Sequence, residues 1–516
     1  MYSKSSPSGG GQPGGIARRL PPHHLKHGAA ALAVAIALAG CAVGPDFKPP
    51  VLPSAANGPY TEAPLPASTV SARGEHVGPA GASQRLANGQ DLPEQWWTLF
   101  RSDSLDQLIR AALEHNPTLD AAQASLALAR ENYNAAAGTA YYPAVNAQLG
   151  GGRQRAILTG TSPSEFNVYN ATVNVSYTLD LFGGERRQLE SLMAATDYQR
   201  FQTEAAYQTL IANVVTTAVQ EASLRGQLEA TRELLKAQEE QLRIVDKQVA
   251  LGAQPRAAAL TQGTLVAQTR ALLPPLDKAL AQTRHQLAVF VGRFPGEGGL
   301  PEFHLDSLRL PAELPVSLPS DLAKQRPDIR ASEALLHQAS ANVGVATANQ
   351  YPQITLSGNY GTQHTVLPGM DLGNTLWGLS AGLTQPLFNG GALSAKRRGA
   401  EAAYRQAEAQ YRSTVLKAFQ NVADSLRAVD ADALALKAQA DAETQARESL
   451  QVHTRQYQLG GISYLSLLDA QRSYQQARIG LIQAQAARYS DTAALFLALG
   501  GGWWRHPAAD AQGAGG

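Results

Sequence analysis

The clearest pattern in this chain is the strict alternation of apolar and polar residues in several short segments. Odd positions are apolar and even positions polar over residues 169–181, and similar alternation is present at residues 353–357 and 377–384. A period of two predicts β-strands with one apolar and one polar face. We therefore expect two strands at about residues 143–182 and two more at about residues 352–388.

Each predicted pair of strands is followed by a long segment without proline. These segments cover residues 187–251 and 392–459, which are 65 and 68 residues, so as helices each would be roughly 100 Å long. Apolar side chains within them recur at steps of three, four or seven, and this spacing predicts coiled-coil packing. They are Leu228, Leu235, Leu242 and Val249 in the first segment and Val415, Phe419, Val422, Leu426 and Val429 in the second.

A glycine follows the last leucine of each long segment. Gly252 and Gly460 predict tight turns that lead into returning helices at residues 255–292 and 462–499. A Pro-Pro pair at positions 274 and 275 lies inside the first of these helices. Because each proline removes an amide donor, we expect the helix to be kinked there.

The complete pattern occurs twice in the chain. Asn116-Pro117-Thr118-Leu119 returns as Arg326-Pro327-Asp328-Ile329, Tyr142-Pro143 as Tyr351-Pro352, Leu181-Phe182-Gly183-Gly184 as Leu387-Phe388-Asn389-Gly390-Gly391, and Leu251-Gly252 as Leu459-Gly460. The offsets of 210, 209, 206 and 208 residues indicate a duplicated unit of helix, two strands, long helix, turn and helix. We place repeat 1 at residues 101–298, repeat 2 at 321–500, a linker at 299–320, an N-terminal segment at 41–100 and a C-terminal tail at 501–516.

The N-terminus predicts export from the cytoplasm. Basic residues precede an apolar run at residues 29–39, which is too short to span a bilayer and has the form of a secretory signal peptide. The run ends in Leu-Ala-Gly-Cys41, which resembles the lipobox of bacterial lipoproteins. We expect residues 1–40 to be removed and Cys41 to carry a covalent lipid anchor, the alternative being a small buried thiol. The resemblance also implies sorting to the outer membrane, because Ala42 rather than aspartate follows the cysteine.

Alternation alone leaves open whether the apolar face of the strands points into a soluble sandwich or toward lipid. The lipoprotein leader and the lack of a spanning α-helix in the sequence favour a membrane β-barrel, whose polar face lines water. Four strands in one chain cannot close, and an open edge in lipid leaves unpaired backbone groups at several kcal/mol each. Two copies would give 8 strands and three would give 12, and only three or more leave room for a pore.

Composition and motifs exclude several other functions. With 16% charged residues and a net charge of +1, the chain offers no basic face for nucleic acid. Cys41 is the only cysteine, and the close set of histidines lies in the leader, so we expect neither a metal nor a cofactor. Gly150-Gly151-Gly152 lacks the helix start that a phosphate loop needs, and we assign it to an external hairpin. We find no catalytic motif and expect no enzyme activity, whereas a non-channel coiled-coil lipoprotein remains an alternative.

Six segments together resemble the TolC-like outer-membrane factors, specifically the NodT-type lipoproteins of tripartite efflux systems. They are Cys41-Ala42-Val43-Gly44-Pro45-Asp46-Phe47, Trp96-Trp97-Thr98-Leu99-Phe100, Leu179-Asp180-Leu181-Phe182-Gly183, Arg326-Pro327-Asp328-Ile329-Arg330, Gln385-Pro386-Leu387-Phe388-Asn389-Gly390-Gly391 and Leu467-Leu468-Asp469-Ala470-Gln471-Arg472. The resemblance implies an α+β membrane protein: a homotrimer whose 12-stranded outer-membrane β-barrel, four strands per chain, is continuous with a 12-helix periplasmic α-barrel girdled by an equatorial domain. It also implies a periplasmic adaptor that docks at the turns of Gly252 and Gly460, and an inner-membrane pump of the resistance-nodulation-division (RND) class.

The resemblance further implies a periplasmic gate just after the second turn, at positions that match Asp469 and Arg472. Our hypothesis is that three copies of Asp469 crowd at the constriction while Arg472 ties its helix to a neighbour. The alternative is an ordinary surface pair worth a few tenths of a kcal/mol. The implied function is a passive exit duct for drugs or other small molecules, and a duct for type I protein secretion is the alternative. The sequence does not identify the cargo.

Overall fold

The computed structural model describes residues 42–51, 58–157, 163–367 and 369–505. The predicted signal peptide and Cys41 lie outside these ranges. In chain order the elements are β1 (Arg85–Asn88), α1 (Asp103–His115), α2 (Pro117–Tyr141), β2 (Ala144–Ala156), β3 (Ser164–Leu179), α3 (Gly184–Ala250), α4 (Arg256–Ala271), α5 (Leu273–Phe290), β4 (Glu313–Val316), α6 (Pro319–Gln325), α7 (Pro327–Ala348), β5 (Gln353–Leu367), β6 (Met370–Thr384), α8 (Ala392–Gln458) and α9 (Tyr464–Ala498). None of the helices described combines the length and the apolar composition that crossing a bilayer requires.

The chain divides into two compact units. Among the described residues, a sheet unit comprises residues 42–44 together with those of Ala140–Arg187 and Gly344–Ala395. A helical unit comprises those of Pro45–Thr139 and Gln188–Val343 and residues 396–505.

Four antiparallel strands in the order β2-β3-β5-β6 form the sheet unit. The register places Val175 between Val145 and Gly358, and Ser176 between Ala144 and Ser357. Residues that are paired across neighbouring strands lie on the same face of the sheet. We call the face that carries Val175 the apolar face and the face that carries Ser176 the polar face. The apolar face includes Val145, Leu149, Val173, Tyr177, Leu179, Ile354, Leu356, Tyr360, Trp377, Leu379 and Leu383.

The three consecutive glycines do not form the external hairpin that we expected. Gly150, Gly151 and Gly152 lie inside β2, which continues to Ala156. A Cβ atom at Gly150 would stand 2.3 Å from the side-chain oxygen of Asn170 on the neighbouring strand. Gly150 therefore relieves crowding against the neighbouring strand, whereas a Cβ atom at Gly152 would meet nothing within 4 Å.

The two long helices, α3 and α8, have 67 residues each. Helix α3 begins at Gly184, three residues before the expected start, because the Asp180 carboxylate accepts hydrogen bonds from the backbone N–H groups of Glu185 and Arg186 at 3.2 and 3.0 Å. Most of the heptad positions are buried within the helical unit, whereas Phe419, Leu242 and Val249 are only half-buried. The buried ones are Leu228 and Leu235 in α3 and Val415, Val422, Leu426 and Val429 in α8.

The helix expected at residues 255–292 is divided into α4 and α5. The break lies at Leu272, and the two prolines that follow occupy the first turn of α5. The first amides of a helix need no intrahelical acceptor, so proline is tolerated there. The chain therefore starts a new helix at this point.

The core of the helical unit gathers aromatic side chains from both ends of the chain. Trp96 and Phe496 have ring centroids 5.5 Å apart, and those of Phe100 and Tyr489 are 6.3 Å apart. Beside them β1 pairs in parallel with β4, so that Arg85 lies opposite Glu313. The N-terminal segment and the linker between the repeats thus meet in the same small sheet.

Candidate functional site

The turns after the two long helices have the same geometry. Gly252 and Gly460 adopt φ angles of 74° and 75°, and a Cβ atom at either would meet nothing within 4 Å. In the first turn the N–H of Ala253 donates to the carbonyl of Gln248 at 2.8 Å, and in the second Gly461 donates to Gln456 at 2.8 Å. This is the Schellman arrangement, which requires a left-handed residue and so favours glycine.

Each turn also presents an exposed leucine. Leu251 is 84% exposed and Leu459 is 81% exposed, directly before the two glycines. Sequence reasoning assigned both leucines only as helix ends, although their matching positions in the repeats were a signal. Large apolar side chains this exposed at both turns offer contact area to a partner.

Asp469 and Arg472 lie near the start of α9 and point away from the buried side of that helix. Ser463 caps the helix by accepting the N–H of Ser466 at 3.2 Å. Leu467 and Leu468 are buried, whereas Asp469 and Arg472 are exposed. In the described part of the chain neither charge forms an ion pair, with the other or with any other residue. Both are therefore available to groups outside one chain.

Arg472 stands at one end of an open groove between α8 and α9. The groove has a volume of about 730 Å³. Glutamines supply much of its lining, among them Gln439, Gln475 and Gln476. At Gly480 the helices approach so closely that a Cβ atom would lie 2.7 Å from the side-chain oxygen of Gln439.

Polar side chains are packed beneath the turns, where the sequence predicted an apolar seam. The hydroxyl of Tyr464 donates to Gln262 Oε1, and Gln262 Nε2 donates to the carbonyl of Gln238 at 2.8 Å. Gln238 is fully buried, and neither atom of its side-chain amide has a partner among the described residues. Buried polar groups of this kind weaken helix packing and fix its register.

A buried carboxylate holds the linker between the repeats against α3 and α5. Glu221 is 0% exposed and accepts hydrogen bonds from Arg225 at 2.6 Å, Arg284 at 2.9 Å and the backbone N–H of Phe303 at 3.0 Å. Arg284 also donates to the carbonyls of residues 300–301. The opposite charges compensate one another in the interior.

Arg488, in the second repeat, binds the N-terminal segment, and none of its hydrogen bonds in the described structure goes to a carboxylate. Arg488 is 1% exposed and donates to the carbonyls of Ala80 and Ala82, to the hydroxyl of Thr69 and to Gln84 Oε1, at 2.7 to 3.2 Å. Neutral acceptors bind both terminal nitrogens of the guanidinium group, whereas its buried Nε has no partner among the described residues. The arginine thus acts as a clamp on this loop.

Near Arg488 two carboxyl groups lie side by side. Asp432 in α8 is half-buried, and no donor in the described structure reaches its Oδ2. Burial, together with the hydrogen bond and the charge of Asp491, raises the pKa of Asp432 to about 7, against the opposing charge of Arg488. A hydrogen bond to Asp491 raises the pKa of Asp432 because only the protonated carboxyl can donate it.

The described residues contain no group of three or more histidine, cysteine, aspartate or glutamate side chains placed to hold a metal ion. The candidate functional features are an amphipathic sheet, two exposed turns and the charges at the start of α9.

Comparison with known proteins adds to this geometry. The sequence model of the family described as Outer membrane efflux protein matches residues 108–293 and 318–501. This chain belongs to that family. The members considered below are channel proteins of the outer membrane, not enzymes.

Several relatives named for efflux are similar over most of their length. The pyoverdine export outer membrane protein OpmQ of Pseudomonas putida is 31% identical over 82% of this chain and 92% of its own. The toluene efflux pump outer membrane protein TtgC of Pseudomonas putida is 30% identical over 91% of this chain and 94% of its own. The cation efflux system protein CusC of Escherichia coli is 29% identical over 91% and 97%.

Solved channel structures share the fold of this family member. The outer-membrane channel OprN superposes with a TM-score of 0.78 at 26% identity, covering 90% of this chain and 100% of OprN. A structure of CusC gives 0.74 at 25% identity, with 89% and 100% covered. The chain therefore has the TolC-like channel fold and is an outer-membrane efflux protein.

Proposed function

We propose that three copies of this chain form the exit duct of a tripartite efflux pump, which passively conducts drugs or other small molecules across the periplasm and the outer membrane. The observation that carries the proposal is the four-stranded sheet, whose apolar face holds exposed side chains such as Trp377 and Leu379. The outer strands β2 and β6 are not paired to each other in the sheet order. Joining the strands of sister chains into a barrel of about twelve would satisfy these edges in lipid.

The helical elements support the same arrangement. In both halves a helix precedes two strands, and a 67-residue helix and a turn follow them. The two ranges matched by the family begin 210 positions apart, at residues 108 and 318. Six long helical columns from three chains, with the returning helices beside them, would supply a periplasmic α-barrel of about twelve, since each column is roughly 100 Å long.

We further propose that a periplasmic adaptor docks at the turns of Gly252 and Gly460 and links the duct to an RND-type pump in the inner membrane. The exposed side chains of Leu251 and Leu459 support this surface. Co-purification of the membrane-embedded protein with an adaptor and a pump tests it. Loss of adaptor binding on Leu251→Ser with Leu459→Ser is expected, whereas undiminished binding contradicts the assignment.

The lipid on Cys41 is likewise a proposal, supported by the sequence that precedes it. We expect the purified protein to begin at Cys41 and to carry acyl chains, which intact mass spectrometry measures. An unmodified cysteine, or a chain that keeps residues 1–40, would refute it.

Asp469 and Arg472 are proposed as the periplasmic gate. Their exposure without an ion-pair partner in the described part of one chain supports this, because a gate must act between chains. Single-channel recording in planar bilayers tests both the proposed duct and the proposed gate. The wild-type protein should form channels, and Asp469→Ala with Arg472→Ala should raise the conductance.

A matched control is available on α3. Glu240 and Arg243 form an exposed pair with the same i,i+3 spacing, and their charged atoms are 2.5 Å apart. Replacing both with alanine makes the same change in charge on a different helix and should leave the conductance unchanged. Equal conductance of the gate variant and the wild type would remove the gate assignment but not the duct. Absence of any channel activity would contradict the duct itself.

A further inference from the structure

In the described part of the four-stranded sheet, all charged residues and the one histidine lie on one face. They are Arg153, Arg155, Glu165, His364 and Asp371, all on the apolar face and near the hairpin ends of the strands. Arg153 contacts Glu165 at 2.6 Å, and His364 contacts Asp371 at 3.3 Å. In the described part of β2, β3, β5 and β6, the polar face carries no charged side chain and no histidine.

Side-chain amides and hydroxyls form most of the polar face instead. One row across the sheet consists of Asn146, Asn174 and Asn359. The next row contains Ser176, Ser357 and Ser380, the last two 2.8 Å apart between hydroxyl oxygens. Each such group both donates and accepts hydrogen bonds. The face is therefore polar without fixed charge.

The polarity of this face changes toward the hairpin ends. There apolar residues join the polar face beside Gln154, Gln363 and Thr365, while the opposite face carries the charges. The apolar residues are Phe166, Val168, Leu367, Met370 and Leu372. A solute that travels along this face passes hydrogen-bonding groups first and a mixture of apolar and polar groups last.

We infer that the sheet section of the duct is an electrically neutral wall, suited to uncharged, zwitterionic and amphipathic organic molecules rather than to metal cations. The inference rests on the proposed function, in which the apolar face meets lipid and the polar face lines the duct. Rings of fixed charge concentrate ions of opposite sign and exclude others. A wall of amides and hydroxyls has no preference for either sign of charge. It forms hydrogen bonds with polar organic solutes, and the apolar side chains near the exit favour amphipathic ones.

Single cysteines on the two faces of β3 test the inference. Ser176→Cys places a thiol on the polar face, and Val175→Cys places one on the adjacent position of the apolar face. Each full-length variant is recorded in planar bilayers while methanethiosulfonate reagents that carry either trimethylammonium or sulfonate are added. The ratio of the two reaction rates, divided by the ratio for a free thiol, reports the local electrostatic potential. Wild-type protein, which has only Cys41, gives the background.

For Ser176→Cys we expect both reagents to reduce the current, with a normalised rate ratio within about twofold of one. Ser357 lies directly opposite Ser176. Adding Ser357→Asp calibrates the assay, because a carboxylate about 5 Å away in salt solution should favour the cationic reagent roughly fivefold. Val175→Cys should react with neither reagent.

The outcomes separate the inference from the proposed function. A strong preference for one charge at Ser176→Cys, as large as that of the calibrating variant, overturns the neutral wall and leaves the duct intact. Reaction at Val175→Cys but not at Ser176→Cys would mean that the polar face does not line the duct, and both proposals would fail together.

Discussion

Replacing Asp432 with asparagine should flatten the dependence of this protein's stability on pH. In the folded protein the Asp432 carboxyl is beside Asp491, and its pKa is raised from 3.8 to about 7, mainly by burial. An asparagine amide supplies a permanent hydrogen-bond donor to Asp491, as the protonated carboxyl does. The substitution therefore keeps the hydrogen bond and removes the titration.

The sign follows from the two pKa values. The unfolded chain loses the Asp432 proton near pH 4, whereas the folded protein holds it until about pH 7. Stability from this group is thus fully present below pH 4 and is lost as the pH rises toward 7. For a fully buried carboxyl this shift would correspond to about 4 kcal/mol. Because Asp432 is only half-buried, solvent screening reduces the expected loss to roughly 1–2 kcal/mol.

Chemical denaturation of the detergent-solubilised protein, followed by helical circular dichroism at pH 5 and pH 8, measures the effect. The wild type should lose about 1 kcal/mol of unfolding free energy between these values relative to Asp432→Asn, because the rest of the loss falls between pH 4 and pH 5. Asp441→Asn, at an exposed position of the same helix, is the control and should behave as the wild type. If Asp432→Asn and the wild type lose the same free energy, the raised pKa of Asp432 is refuted.

Two further predictions concern Glu221, which holds the linker, and the turns. Glu221→Gln should lower the unfolding free energy by about 2–3 kcal/mol because the half-buried Arg225 and Arg284 lose the buried charged acceptor that they share, although Arg225 keeps its contact with the exposed Glu302. Glu239→Gln, which breaks an exposed pair with Arg270, should cost at most about 1 kcal/mol; equal losses in denaturation would contradict the role of Glu221. Gly252→Ala and Gly460→Ala should each lower the unfolding free energy by roughly 1–2 kcal/mol through backbone strain and speed amide hydrogen exchange at the turn, while displacing no neighbouring side chain. Unaltered exchange there would refute the strain argument.

Periodic features of this protein were predictable from the sequence because they depend on local chemistry. In the strand that contains Val175 and Ser176, the alternation of apolar and polar residues predicts which side chains share a face. The turns at Gly252 and Gly460 follow from the ability of glycine to adopt a positive φ. The start of α3 was misplaced by three residues because Asp180 was counted in the strand pattern and not as a cap.

The polar packing was not predictable, because its partners are distant in sequence. Nothing near Arg488 indicates that it binds backbone carbonyls of residues 80 and 82, since a carbonyl has no sequence signature. The sequence around Glu221 likewise resembles that of any exposed helical glutamate, and only the fold brings Arg284 into contact with it. The exposed leucine at position 251 escaped notice for the opposite reason, because an apolar residue at a helix end is expected to be buried.

The arginine clamp on the N-terminal segment also orders the steps of biogenesis. Arg488 is 408 positions from Ala80 and 404 positions from Gln84 in the sequence. Contacts of such sequence separation form slowly and leave early segments open to aggregation. The leading end of the polypeptide therefore cannot complete its packing until α9, which carries Arg488, is available to bind it.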